Sequence, residues 1–436
     1  MTGLATKEAR IKLLSLDNLI IPVSLVIMTG TSITFLNTLS SANNRWIILI
    51  SLAVALLLKR SFFKYFDNSL FIILYFYLGW CFSTSFWSLV PSLSFMKSVM
   101  MIIAVFTLIR TGIEWVRVNS WTYALDYLWL LALFSLLAGF LGNYAPYDVA
   151  HETMSYQTTI LYQGLVKGTN MFGMLMSMSL PFMIWQTYKF WSNIRRRIFW
   201  MILTGSCLFF LILSISRSAI IMSCFTCAGF FFSLKFNKRL KTFLLSVIIS
   251  ILILLLLPFT LEDISGGFRK LVFKGRSDSS LFVSRQIVWK QSLDAAMNAG
   301  FIGFGYGVSE GKNEFTIGEK LQSYAYGREK GNSQLAVMEE TGIFGLLLYL
   351  LVIYFLLSKL LILFFKANDP DLKVLIGILF GLFLGLIMHS MLEAWWSSPG
   401  SPESIYFWML IGVIKGLEIL SLKEWHKENH GRSKLY

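Results

Sequence analysis

The chain has 436 residues, 56% of them hydrophobic and 14% charged, against roughly 45–50% and about 25% in soluble domains. With a mean hydropathy of +0.65, this excludes a soluble enzyme and points to an all-α polytopic membrane protein. The formal charge of +14 calls for no nucleic acid, because most of it sits in short loops where it would face anionic lipid.

Residues 1–16 hold no apolar core followed by small residues, so no cleavable signal peptide is expected and the first span inserts itself. Apolar segments follow at 17–38, 46–58, 69–86, 93–110, 121–142, 169–188, 198–214, 218–234, 241–260, 342–365, 373–392 and 404–421. They make about twelve transmembrane helices.

Lysine and arginine alternate between the connections. Lys7, Arg10 and Lys12 precede the first span, and Lys59, Arg60 and Lys64 follow the second. Arg110 and Arg117 follow the fourth, Lys189 and Arg195, Arg196 and Arg197 the sixth, and Lys235, Lys238, Arg239 and Lys241 the eighth. Lys366 and Lys373 follow the tenth, and Lys423, Lys427, Arg432 and Lys434 lie in the tail. The other short loops hold few, such as Arg45 and Lys167. Basic loops stay inside, so both termini are expected in the cytoplasm. The chain then divides into nine spans over 1–260, one large extracytoplasmic loop at 261–333, spans ten to twelve over 334–421 and a cytoplasmic tail at 422–436.

Cys81, Cys207, Cys224 and Cys227 all fall within spans. The Cys224-x-x-Cys227 spacing lacks a βαβ context, and packing is the expected role.

An ionisable residue in a span costs roughly 2.5–3.5 kcal/mol and marks a candidate site. Arg217, in LILSISRSAIIMS, is the sharpest example. It either snorkels to headgroups or forms an anion site with Ser216, Ser218 and the N-terminus of the next helix. In the long loop, apolar residues at 287, 288, 293, 296 and 297 fit an amphipathic helix on the membrane surface. Arg285 and Trp289 lie four apart there, suited to a cation–π contact or to phosphate binding. Gly303-Phe304-Gly305-Tyr306-Gly307 lacks the strand and acidic residue of a nucleotide loop, and is expected to form a tight turn approached by neighbouring backbone. Tyr324, Tyr326 and Arg328, with Lys330, either face a sugar chain or form a solvated segment. His389 and Glu393 are spaced to share a helical face, as an acid–base pair or as a pair fixing the bundle, with Trp395 and Trp396 as an interfacial belt. No Cys/His metal spacing, G-x-S-x-G elbow or Walker loop occurs, so no metal or cofactor is expected.

The order of these pieces resembles the O-antigen ligase and polymerase superfamily of bacterial envelope polysaccharide assembly. The matching segments are SRSA around Arg217, SRQIVW around Arg285, GFIGFGYG, and GNSQLAVMEETGIFGLLLYLL leading into the tenth span. Family members show an arginine at an outer helix end, an R-x-x-x-W loop helix and a segment H-N-x-x-L-x-x-x-x-E-x-G-x-x-G. Asn332, Leu335, Glu340, Gly342 and Gly345 fit the last pattern, but Gly331 stands where ligases carry the histidine.

The resemblance implies an extracytoplasmic glycosyltransferase in the bacterial inner membrane that polymerises oligosaccharide repeats carried on undecaprenyl diphosphate, by inversion and without metal. Arg217 and Arg285 would bind the diphosphate. Glu340, or Glu393 with His389, or a tyrosine, would serve as base. Ser216, Ser218, Trp289, Tyr324, Tyr326, Arg328 and Asn332 would contact substrate. Membrane lipid, a chain-length regulator and a flippase are the further partners expected. The missing histidine favours a polymerase over a ligase acting on lipid A core. A lipid-linked glycan transporter is the alternative of another class, against which stands the lack of an internal repeat.

Overall fold

The structure is a computed structural model that describes residues 16–29, 42–58, 65–66, 68–150, 156–166, 168–234, 283–309 and 330–432. The described chain is mostly helical. It comprises α1 (Leu16–Thr29), α2 (Ala42–Leu57), α3 (Ser69–Ser83), α4 (Pro91–Asn119), α5 (Trp129–Phe140), strands β1 (Asn143–Ala150) and β2 (Tyr156–Gly164), α6 (Thr169–Lys189), α7 (Ile194–Leu213), α8 (Arg217–Ser233), α9 (Val283–Asn298), α10 (Ser333–Lys366), α11 (Pro370–Ser390) and α12 (Pro402–Arg432). Among the described residues, seven helical segments are long and apolar enough to cross a membrane, and two shorter ones are apolar. Every predicted span except 241–260, which lies outside the described residues, overlaps a described helix, although α1 and α6 are not among those nine segments.

The helix bundle has two chemically distinct ends. At one end, Tyr188 Oη donates to Asp371 Oδ1 at 2.8 Å, and Lys359 and Lys415 pair with Glu418 at 2.5 and 3.1 Å. Arg195, Arg196 and Arg197 also lie there, at the start of α7. At the other end lie β1, β2, the turn between α7 and α8, the start of α10 and the end of α11. These are called the basic end and the loop end.

Small residues set the helix spacing. A side chain on Gly381 would meet the backbone of Phe225 and Gly229, and one on Gly385 would meet Met222, so α8 lies against α11 almost backbone to backbone. Gly112 of α4 meets Met409 and Val413 of α12 in the same way. In hydrocarbon, where apolar burial gives helices little reason to associate, this close van der Waals approach is the main attraction available.

Three expectations change. Residues 143–164, read as a connection between the fifth and sixth spans, contain an antiparallel pair of strands with Tyr144 paired to Tyr162. Alternating Tyr156, Thr158, Ile160 and Tyr162 carry the period of a strand. Arg110 is not in a loop: α4 continues to Asn119, and Arg110 is buried beside Glu114 with its guanidinium 4.9 Å from the Tyr65 ring. Trp395 and Trp396 form no interfacial belt. Both are buried among Phe407, Trp408, Tyr77 and Tyr349, and Trp396 Nε1 donates to Tyr77 Oη at 2.8 Å.

Gly381→Leu should force α8 and α11 apart and cost about 1–3 kcal/mol or more. Thermal unfolding of the protein in detergent checks this, and an unchanged melting temperature would show that the seam yields.

Candidate functional site

The turn after α9 is built by left-handed glycines. Gly303, Gly305 and Gly307 have φ of +78°, +114° and +70°, which L-residues with a Cβ rarely adopt. The turn lies against the kink in α10, where Gly342 has φ +74°. Phe304 and Gly305 N–H donate to the carbonyls of Glu339 and Glu340 at 3.0 and 2.9 Å. Tyr306 N–H donates to Thr84 Oγ1 at 2.9 Å, and its ring is buried. That burial pushes the Tyr306 phenol well above its ordinary value.

Four charges meet around this turn. Lys330 Nζ lies 2.5 Å from Glu340 and 3.6 Å from Glu339, both buried. Glu340 Oε2 also accepts from Gly307 N–H at 3.0 Å, and Lys97 Nζ donates to the Gly307 carbonyl at 2.5 Å. The sequence reading named Glu340 but missed Lys97, Lys330 and Glu339 as its setting. A lone lysine in the apolar run SLSFMKSVMM was the available signal.

Helix α9 forms as expected, but its buried face is small. Ser292, Ala295 and Ala296 pack inward, while Leu293 and Met297 are exposed. Trp289 Nε1 donates to the Gly331 carbonyl at 3.0 Å, and Ser292 Oγ to the Lys330 carbonyl at 2.8 Å. Arg285 lies one turn before Trp289; its side chain, with all of Tyr324, Tyr326 and Arg328, lies outside the described residues. Gly331 has φ +61°, so this position is a left-handed turn.

Asn332 caps α10, its Oδ1 accepting from Leu335 N–H and its Nδ2 donating to the Met391 carbonyl, both at 3.0 Å. Ser333 Oγ donates to the Glu393 carbonyl at 2.9 Å. These bonds join the start of α10 to the end of α11. Helix α11 stops at Ser390, so Glu393 follows in a turn instead of sharing a helical face with His389. His389 is buried, and its Nδ1 accepts from Trp395 Nε1 at 3.1 Å, which leaves the ring proton on Nε2. Of the three candidate bases, Glu340 and His389 are buried and Glu393 is half-buried.

Arg217 opens α8 after a constrained turn. Ile215 has φ +51°, an unfavourable state for a β-branched residue that costs about 1–3 kcal/mol. Ser214 Oγ pins the turn by donating to the Leu211 carbonyl at 2.6 Å and accepting from Ser216 N–H at 3.2 Å. Ser216 Oγ is buried and has no hydrogen-bond partner among the described residues. Ser218 is buried beside it. The register of Gly381 and Gly385 against α8, continued one turn, brings Arg217 level with His389. Arg217, Asn332, His389, Glu393, Trp289 and the Glu340 cluster therefore share the loop end. No three His, Cys, Asp or Glu side chains among the described residues converge as metal ligands would.

Residues 199–350 match the model of a family described as O-antigen ligase. The matched stretch contains Arg217, Arg285, Asn332 and Glu340, and it supports the O-antigen ligase and polymerase superfamily resemblance read from the motifs. Members of that family are glycosyl-transferring enzymes. No curated protein matches the chain.

Lys330→Met would remove the cation that pairs most closely with buried Glu340, a loss of about 3–5 kcal/mol. Lys330→Met with Glu340→Gln should recover part of it. Unfolding of both variants in detergent tests the pairing; a single variant as stable as the parent would contradict it.

Proposed function

We propose that this protein is an extracytoplasmic glycosyltransferase that polymerises oligosaccharide repeats carried on undecaprenyl diphosphate. In this reading about twelve spans cross the bacterial inner membrane, both termini are cytoplasmic and the loop end faces outward. The observation that carries it is the start of α8. There an arginine, a buried serine hydroxyl with no partner among the described residues and a strained turn meet at a helix N-terminus, level with the start of α10 and the end of α11. Helix N-termini favour anions, and a guanidinium holds phosphate oxygens through two parallel hydrogen bonds.

The chemistry is a displacement at the anomeric carbon. An acceptor hydroxyl on a second lipid-linked unit attacks, the bond from C1 to the phosphate oxygen breaks, and the diphosphate leaves with the electron pair. Arg217, joined by Arg285 from α9, stabilises the charge that develops on it. Glu393, the half-buried carboxylate of the three candidates, takes the hydroxyl proton. A groove of about 300 Å³ between α3 and α10, bordered by Tyr75, Gly79, Trp80 and Phe344, has the apolar walls that an isoprenyl tail requires.

The ligase reading is favoured by the description of the matching family, and the polymerase reading by Gly331. Deleting the gene should leave single-repeat glycans and abolish long chains. Long lipid-linked chains that persist without final attachment would establish the ligase instead.

Arg217→Ala should lower turnover at least about a hundredfold, the scale of losing one transition-state donor, at near-normal membrane abundance. Arg217→Lys should recover only part, because it keeps the charge and loses the planar geometry. Glycan synthesis from purified lipid-linked units, with protein quantified in parallel, is the measurement. Activity near the parent's would return Arg217 to snorkelling.

A further inference from the structure

The opposite, basic end of the bundle holds a second built cavity. It is a cleft of about 380 Å³ between the turn before α5, the end of α6 and the start of α11, and Trp121, Trp185, Tyr188, Trp191, Lys189 and Asp371 line it. Trp185 stacks on Tyr188 with centroids 5.9 Å apart, and Trp121 lies 6.5 Å from Trp185. The Lys189 ammonium is already engaged: it lies 4.0 Å from the Tyr123 centroid, 3.8 Å from Asp126 and 3.2 Å from the Thr122 carbonyl. The carboxylate that the cleft presents is Asp371. It is exposed, and it accepts from Tyr188 Oη at 2.8 Å.

Aromatic faces beside a carboxylate attract a cation, and a ligand ammonium is the ion that such a cage suits. The rim carries the opposite charge. Arg197 sits over the Trp191 ring at 4.9 Å, and Arg196 over Phe190 at 5.1 Å. A ligand filling both places carries an ammonium and a phosphate. The cleft also lies at the ends of the apolar segments Trp121–Phe140 and Pro370–Ser390, the level of a membrane at which tryptophan and tyrosine meet headgroups.

We propose that this cleft binds the headgroup of a zwitterionic aminophospholipid, with its ammonium against Asp371 and the aromatic rings and its phosphate toward Arg196 and Arg197. The charge pattern distinguishes this occupant from an anionic lipid such as phosphatidylglycerol, whose headgroup beyond the phosphate is an uncharged glycerol and offers Asp371 no cation. The site lies at the other end of the bundle from Arg217, so it neither depends on the proposed glycosyl transfer nor supports it.

Native mass spectrometry of the full-length protein in detergent, titrated with phosphatidylethanolamine or phosphatidylglycerol of matched acyl chains, tests the assignment. The parent should bind phosphatidylethanolamine about three- to tenfold more tightly than phosphatidylglycerol, the range of one partly exposed cation–π and charge contact. Asp371→Asn and Trp191→Ala, both at exposed positions, should each abolish that preference. The readout counts folded, lipid-bound ions, so a difference in variant yield does not enter it. Equal binding of the two lipids, a preference for phosphatidylglycerol, or an unchanged preference in both variants would overturn the proposal.

Discussion

Glu340 organises the loop end, because a buried carboxylate persists only where charge and hydrogen bonds compensate its lost hydration. Here Lys330 and the Gly307 N–H supply that compensation, and each brings its own segment with it. Gly307 fixes the glycine turn after α9 and, through its carbonyl, receives Lys97 from α4. Lys330 and Gly331 receive Ser292 and Trp289 from α9. One carboxylate thus holds α4, α9 and α10 in a single arrangement, and Asn332 and Ser333 extend it to the end of α11.

Arg217 reaches this platform by a different route. Its height in the bundle is set by the glycine seam between α8 and α11, which permits one close-packed register. Its orientation is set by the pinned turn at Ser214 and Ile215. A polar knot on one side and a glycine seam on the other leave the ends of α8, α10 and α11 facing the same space. This division suits a site that must hold a charged headgroup beside hydrocarbon. The knot keeps charge buried and paired, while the seam fixes the height of the arginine in the bundle.

Much of this was legible in the sequence, because hydropathy over about 20 residues is a strong signal. The helices therefore fell where the apolar runs did. The left-handed turn at Gly303 to Gly307 was also readable, since three alternating glycines leave few other uses. The strands β1 and β2 were hidden because the connection between two spans was read by hydropathy alone, without its two-residue period. Trp395 and Trp396 were misplaced because their position in sequence, just after a span, matches that of interfacial residues, whereas α12 folds back over them. Lys330 and Glu340 lie ten residues apart, and the left-handed turn at Gly331 between them returns Lys330 to Glu340. No periodicity carries that information. The His389–Glu393 pairing failed for a local reason, the end of α11 at Ser390.

The central claim is that the loop end transfers glycan from a lipid diphosphate donor, and the most direct measurement is reconstitution. Purified protein in liposomes would be given polyprenyl-diphosphate-linked repeat units, with released polyprenyl diphosphate and glycan length followed together. The account predicts that free polyprenyl diphosphate accumulates in step with longer lipid-linked glycans. Movement of intact donor across the bilayer without release of diphosphate would contradict it and identify a transporter.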